Sequence, residues 1–210
     1  MIDIKLLEQL CLCNGISGDE GNVRNLIINE IKDCADDIKT DNLGNLIVFK
    51  KGKKSAKSKD NLGNLIVFKK GKKSAKSKLM VSAHMDEVGL MVTDITSDGY
   101  LKFDEVGGID RRVLPGKRVC VGRNGLNGVI GVKPIHLTNG DEKTAVPKMN
   151  DMYIDIGAES REDALKYVNY GDGINFEGDF KINGKTVVTK ALDDRFACYV
   201  LINLMLLCAY

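Results

Sequence analysis

Two short stretches of this 210-residue chain combine residue types that can do chemistry: His84-Met85-Asp86-Glu87 and Asp193-Asp194-Arg195. Residues two apart on a strand share a face, so Asp86 can accept the imidazole N–H of His84 and fix its tautomer. The other ring nitrogen is then free to bind a metal ion, with Asp86 as the group that orients the ligand. A His-x-Asp pair also arises at a solvated strand end with no further role. The adjacent carboxylates read in two ways as well. At the start of a helix Asp193 and Asp194 suit the macrodipole; alternatively, Asp193 bridges two metal ions while Asp194 and Arg195 hold the turn.

These residues need elements to position them. Leu79–Ala83 is a short apolar run that predicts a buried strand leading into His84, and the strand ends of open α/β sheets are where ligands bind. Phe196–Tyr210 predicts an apolar helix behind Asp193. Upstream, Leu6, Leu7, Leu10 and Cys13 predict a first helix ending near Asn14-Gly15. Ser17-Gly-Asp-Glu20 reads as a capping box for a second helix, with Val23, Leu26, Ile27, Ile31 and Cys34 facing the core. Asp37–Thr40 and Leu46–Phe49 predict two short strands around an Asn42-Leu-Gly-Asn45 turn.

From Val88 to about Lys190 the pattern is strands and glycine turns. Leu90–Ile95 and Tyr100–Phe103 predict a hairpin. Val119–Val121, Gly128–Val132 and Tyr153–Ile156 predict further strands, with a short helix at Ser160–Val168. The expectation is an α/β domain with a mixed sheet, built from residues 1–88 and 188–210 and interrupted by a small β-barrel insert at 89–187. An apolar helix with nothing after it makes that α/β domain read as incomplete.

The segment Asp41–Lys59 recurs letter for letter as Asp60–Lys78. Each copy carries a net charge of +5, so the two hold +10 of a chain whose total is only +2, and the other 172 residues carry −8. The acidic body argues against a nucleic-acid binder, and the lysine-rich copies have few aromatics for base stacking. Two identical copies are too few for a solenoid. A tandem duplication is the expectation, with one Leu-Ile-Val-Phe in the native strand position and the other looped out or taking its place. The six cysteines read as reduced thiols, and Met1–Lys5 shows no signal peptide. The longest mostly apolar stretch, Phe196–Tyr210 with Asn203 inside it, has 15 residues, against the ~20 a membrane helix needs. The expectation is a cytoplasmic protein with no membrane association.

Seven stretches in order give the chain a resemblance to a known family. They are Gly15–Glu20, Asp41–Asn45, Ala83-His-Met-Asp-Glu-Val-Gly89, Gly107–Asp110, Gly131–His136, Asp155–Ala158 and Ala191-Leu-Asp-Asp-Arg195. In these the chain resembles the tetrahedral, or glutamyl-type, aminopeptidases, dinuclear metallopeptidases of peptidase family M forty-two. The resemblance implies removal of N-terminal residues from peptides with two divalent metal ions, zinc or cobalt. It implies His84 and Asp193 as metal ligands, Asp193 bridging both ions, Asp86 as the catalytic group orienting His84, and a cis peptide bond before Asp194. It also implies homo-oligomers, from dimers up to a dodecamer, formed through the insert. The general base and three further ligands of the family follow later than residue 210, so a catalytically inactive chain that self-associates or binds metal weakly is the alternative. His136 reads as a polar side chain packed in the barrel.

Overall fold

The computed structural model describes residues 3–50, 64–69, 81–133 and 146–207. His136, Cys208 and most of both lysine-rich tails lie outside them. The described chain divides into two compact units, Met1–Glu87 with Gly178–Tyr210, and Val88–Glu177. Residues 178–187, expected in the insert, therefore belong to the first unit.

In the first unit, α1 (Ile4–Leu12) starts at Asp3, whose carboxylate accepts the N–H groups of Lys5 and Leu6, and buries Leu6, Leu7, Leu10 and Cys11. Helix α2 (Gly21–Ile31) buries Val23, Ile27 and Ile31. The expected capping box is not closed. Glu20 Oε1 does accept from Gly18 N–H at 2.7 Å, but the Ser17 hydroxyl donates to Asp86 and accepts no N–H of the helix.

Strands β1 (Asp37–Thr40), β2 (Leu46–Lys50), β3 (Asn64–Lys69) and β4 (Ser82–His84) form a sheet in that order. Here the duplication departs from expectation, because both copies are strands of the sheet. β2 pairs antiparallel with β1, and β3 pairs antiparallel with β4. Between them, β2 and β3 pair in parallel with Leu46 opposite Leu65 and Val48 opposite Val67, so each residue stands beside its own copy. Backbone pairing is indifferent to side-chain identity, and a repeat offset that equals the register satisfies every ladder bond. The 13 residues between the two strands meet the dozen or so that a parallel connection needs. Asn45 Oδ1 accepts the N–H of its own copy, Asn64, at 2.7 Å.

Of the predicted strand Leu79–Ala83, Leu79 and Met80 lie outside the described residues, Val81 is exposed, and β4 begins at Ser82. Only Ala83 is buried, while Ser82 and His84 face outward. A hairpin of β11 (Lys181–Asn183) and β12 (Thr186–Val188) leads to α4 (Leu192–Leu207), within which Asp193 and Asp194 depart from helical geometry. Helix α4 packs on α1, α2, β3 and β4. The core joins Leu10, Val23, Ile27, Leu46, Val48, Leu65, Met85 and Ile202.

The second unit is a closed six-stranded barrel. Its strands are β5 (Gly89–Ile95), β6 (Leu101–Val106), β7 (Arg118–Val121), β8 (Leu126–Val132), β9 (Met152–Asp155) and β10 (Gly173–Phe176). The β5–β6 turn needs Gly99, whose φ is +85° and where a Cβ would lie 2.7 Å from the Ala158 carbonyl oxygen. The predicted helix shrinks to one turn, α3 (Arg161–Ala164), capped by the Ser160 hydroxyl. β10, which the sequence pattern does not single out, closes the barrel by pairing with both β5 and β7. Four residues beginning with glycine are too short for an alternation signal. Leu90, Val92, Ile95, Leu101, Leu114, Ile130, Ile154 and Ile174 fill the interior.

Candidate metal centre

Strand periodicity places His84 and Asp86 on the same side while Ala83 and Met85 are buried. His84 Nδ1 lies 3.0 Å from Asp86 Oδ1, and His84 Nε2 lies 3.1 Å from Asp193 Oδ1. The two sequence stretches, 109 residues apart, thus meet within the first unit. Partial burial opposes a charged imidazole, but the carboxylates of Asp193, Asp86 and Asp194 outweigh it and raise the His84 pKa above its ordinary value. Asp193 is almost fully exposed, so it presents oxygen atoms rather than serving the core.

Asp193 and Asp194 do not continue the helix. Both residues have non-helical backbone angles, the peptide bond between them is cis, and Ala191 before them has φ +54°. What holds the turn is Arg195. It is fully buried, and its guanidinium donates to the carbonyls of Leu10 at 2.6 Å, Cys13 at 2.8 Å and Gly15 at 3.3 Å. Gly15 is confined from both sides, since a Cβ there would lie 2.6 Å from Val23 and 3.1 Å from Arg195. Buried Glu87 completes the arrangement. Its carboxylate pairs with Lys190 at 2.9 Å and stands 3.8 Å from Arg195, while its N–H donates to Gly15 O at 2.9 Å. Burial raises the Glu87 pKa against the opposing pull of Lys190 and Arg195.

Sequence reasoning missed Lys190, Asn14 and Ser17. Lys190 also donates to Asn14 Oδ1 at 3.2 Å. Two signals pointed to this network: an arginine leading an otherwise apolar helix, and a glutamate directly after a strand. Neither residue type is buried without a partner. Cys11 and Cys198 contribute nothing ionised here. Burial pushes Cys11 up to about 11 and Cys198 up to about 12, and the five described cysteines are free.

A divalent ion fits the donor pair. Imidazole nitrogen and carboxylate oxygen on one tetrahedral zinc stand roughly 3.3 Å apart, close to the 3.1 Å between His84 Nε2 and Asp193 Oδ1. Asp86 behind Nδ1 supplies the orienting partner that such histidines have. No group of three or more His, Cys, Asp or Glu able to hold a metal occurs among the described residues. No helix among them is long and apolar enough to cross a membrane.

Comparison with known proteins agrees with this geometry. A candidate aminopeptidase of Acetivibrio thermocellus is 44% identical over 198 residues, which are 94% of this chain and 52% of that protein. The glutamyl aminopeptidase of Lactococcus lactis subsp. cremoris is 34% identical over 196 residues, 90% of this chain and 50% of that protein. Among solved structures, the TET1 peptidase of Pyrococcus horikoshii, described as assembling into a tetrahedron or a large octahedral shell, superposes with a TM-score of 0.73 at 40% identity. That match covers 95% of this chain and 54% of the other. The chain thus spans about half the length of the curated relatives it matches. The sequence pattern of one peptidase family extends over residues 63–208, from β3 through His84 and the whole barrel to Asp193 and α4, and by that match the chain belongs to the M42 glutamyl aminopeptidases.

Proposed function

We propose that this chain supplies part of the catalytic module of a cytoplasmic, dinuclear metal-dependent aminopeptidase that removes N-terminal residues from peptides. The observation that carries the reading is the approach of His84 Nε2 to Asp193 Oδ1, with Asp86 on the other ring nitrogen. His84 and Asp193 would hold zinc or cobalt. When bound, such ions lower the pKa of water and polarise a peptide carbonyl. Asp86 keeps the imidazole turned toward the ion, and the Glu87–Lys190–Arg195 cluster keeps the Asp193 turn against it. The second unit, Val88–Glu177, is proposed as the self-association insert. The shells described for the Pyrococcus horikoshii peptidase support a homo-oligomer.

Among the described residues two metal ligands are assigned, and none is assigned as a general base. The second reading is therefore that this chain alone binds metal weakly and does not turn over substrate. Equilibrium dialysis with zinc or cobalt tests the first reading. Bound metal should be lost in His84→Ala and in Asp193→Ala, and equal binding by all three chains would overturn it. Glutamyl and leucyl anilides test the second. Release of product that disappears in those variants would show that other residues of the chain complete the centre.

A further inference from the structure

We propose that Ser17 is a positioning residue for the metal centre: its hydroxyl fixes the plane of Asp86 and thereby holds His84 in the tautomer that leaves Nε2 free. The proposal rests on the reading of His84 as a metal ligand. Ser17 Oγ donates to Asp86 Oδ2, while the other oxygen, Oδ1, faces His84 Nδ1 at 3.0 Å. His84 Nε2 in turn faces Asp193. The four side chains form one line from the α1–α2 loop to the Asp193 turn: Ser17 and His84 Nδ1 both donate to Asp86, and the free Nε2 and the Asp193 carboxylate face each other as the two donors to a metal ion.

The placement of Ser17 is fixed by backbone, not by chance contact. Ile16 forms a parallel bridge with Glu87, and Glu87 N–H donates to Gly15 O at 2.9 Å. These ties hold the segment that leads into Ser17 against the segment that carries Asp86. The competing role for a serine here, capping α2, is vacant, since the helix has no side-chain cap. A carboxylate that accepts one hydrogen bond can still swing about its last torsion, whereas two donors on opposite oxygens fix its plane. A fixed Asp86 favours the Nδ1-protonated imidazole, the form in which Nε2 presents its lone pair to a metal ion.

The test uses the whole chain with nitrogen-labelled imidazoles, at a pH raised until the imidazolium signal of His84 has disappeared, because the carboxylates around it raise its pKa above the ordinary value. The chain has two histidines, and His84→Ala identifies which signals belong to His84. The native chain should show His84 mainly protonated at Nδ1. Ser17→Ala should raise the Nε2-protonated share, and Ser17→Thr should restore the native ratio. Titration with zinc chloride should move the His84 Nε2 signal with a Kd about three- to tenfold weaker in Ser17→Ala, at or below the low end of losses from removing a ligand's direct partner. Ser17→Cys, similar in size but a weak donor, is read the same way where the alanine chain fails to fold. Equal tautomer ratios in native and Ser17→Ala chains overturn the proposal, as does a change that threonine fails to restore. If zinc leaves the native His84 signals unmoved, the metal reading of His84 fails, and the tautomer comparison still decides the role of Ser17 on Asp86.

Discussion

The sheet of the first unit ends at β1 and β4, whereas the six strands of the second unit close on themselves. The first has accepted an additional strand, β3, between a hairpin and the strand that carries His84. A closed barrel has no such opening, because strand number, tilt and stagger are fixed together. The two regions also differ inside. Glu20, Asn45, Glu87 and Arg195 are buried in the first unit, against Asn175 alone among the described residues of the barrel. One region is held by polar ties between distant segments and tolerates rearranged strands. The other is held by apolar filling and closure.

The largest expected break comes from the polar ties. Arg195→Met leaves Glu87 with Lys190 alone and removes the donor to three carbonyls. It should cost the first unit about 3–5 kcal/mol, read as early loss of amide protection in urea, while barrel amides keep their protection. Equal loss in both units would mean that they unfold as one.

Removing one copy of the repeat is the next test, and deleting Asp41–Lys59 or Asp60–Lys78 yields the same chain. One strand should then pair with β1 on one side and β4 on the other, with stability changed by no more than about 1 kcal/mol, since loop closure depends weakly on length. A large fall in melting temperature would show that the sheet needs the added strand.

The mirror experiment inserts a second copy of Leu126–Val132, with a return loop, into the barrel. The copy should stay outside, its amides exchanging freely, whereas the amides of Leu65 and Ile66 should be protected. Protected amides in the inserted copy would erase the contrast between sheet and barrel.

The smallest effect is electrostatic. Glu87 has a raised pKa in the folded chain. The stability it contributes is therefore full below the ordinary glutamate value of about 4.3 and is lost as pH rises through the folded value. The stability difference between native and Glu87→Gln chains should drift in that direction across this window, in the first unit only. A difference independent of pH would mean that Lys190 and Arg195 offset the burial completely.

Much of this was legible in the residues. Periodicity located α1, α2, β1 and β2, and the His-x-Asp spacing predicted the contact between His84 and Asp86. The barrel's presence followed from the strand-and-glycine texture, but its closure depends on β10, a four-residue strand recognisable only from its two neighbours. Ser17 is legible as a capping residue that would accept from a helix N–H, whereas its hydroxyl donates to Asp86. Local sequence names the nearest unpaired N–H groups, not a carboxylate delivered from residue 86. The second copy of Leu-Ile-Val-Phe failed for a different reason. Sequence reasoning treated the sheet as a fixed number of places, whereas a ladder accepts any strand whose partners are in register.

That register gives the duplicated segment a property beyond this sheet. Each residue of β2 sits against its own twin in β3, the arrangement by which identical segments from separate chains stack at about 4.8 Å intervals in fibrils. Within one chain the same stacking is a mode of growth. A further copy of the 19 residues could lie between its predecessors with every backbone group matched and no side chain redesigned. Replication slippage in the gene would then widen the sheet by whole strands, leaving the hairpin on one side and the histidine strand on the other as they are.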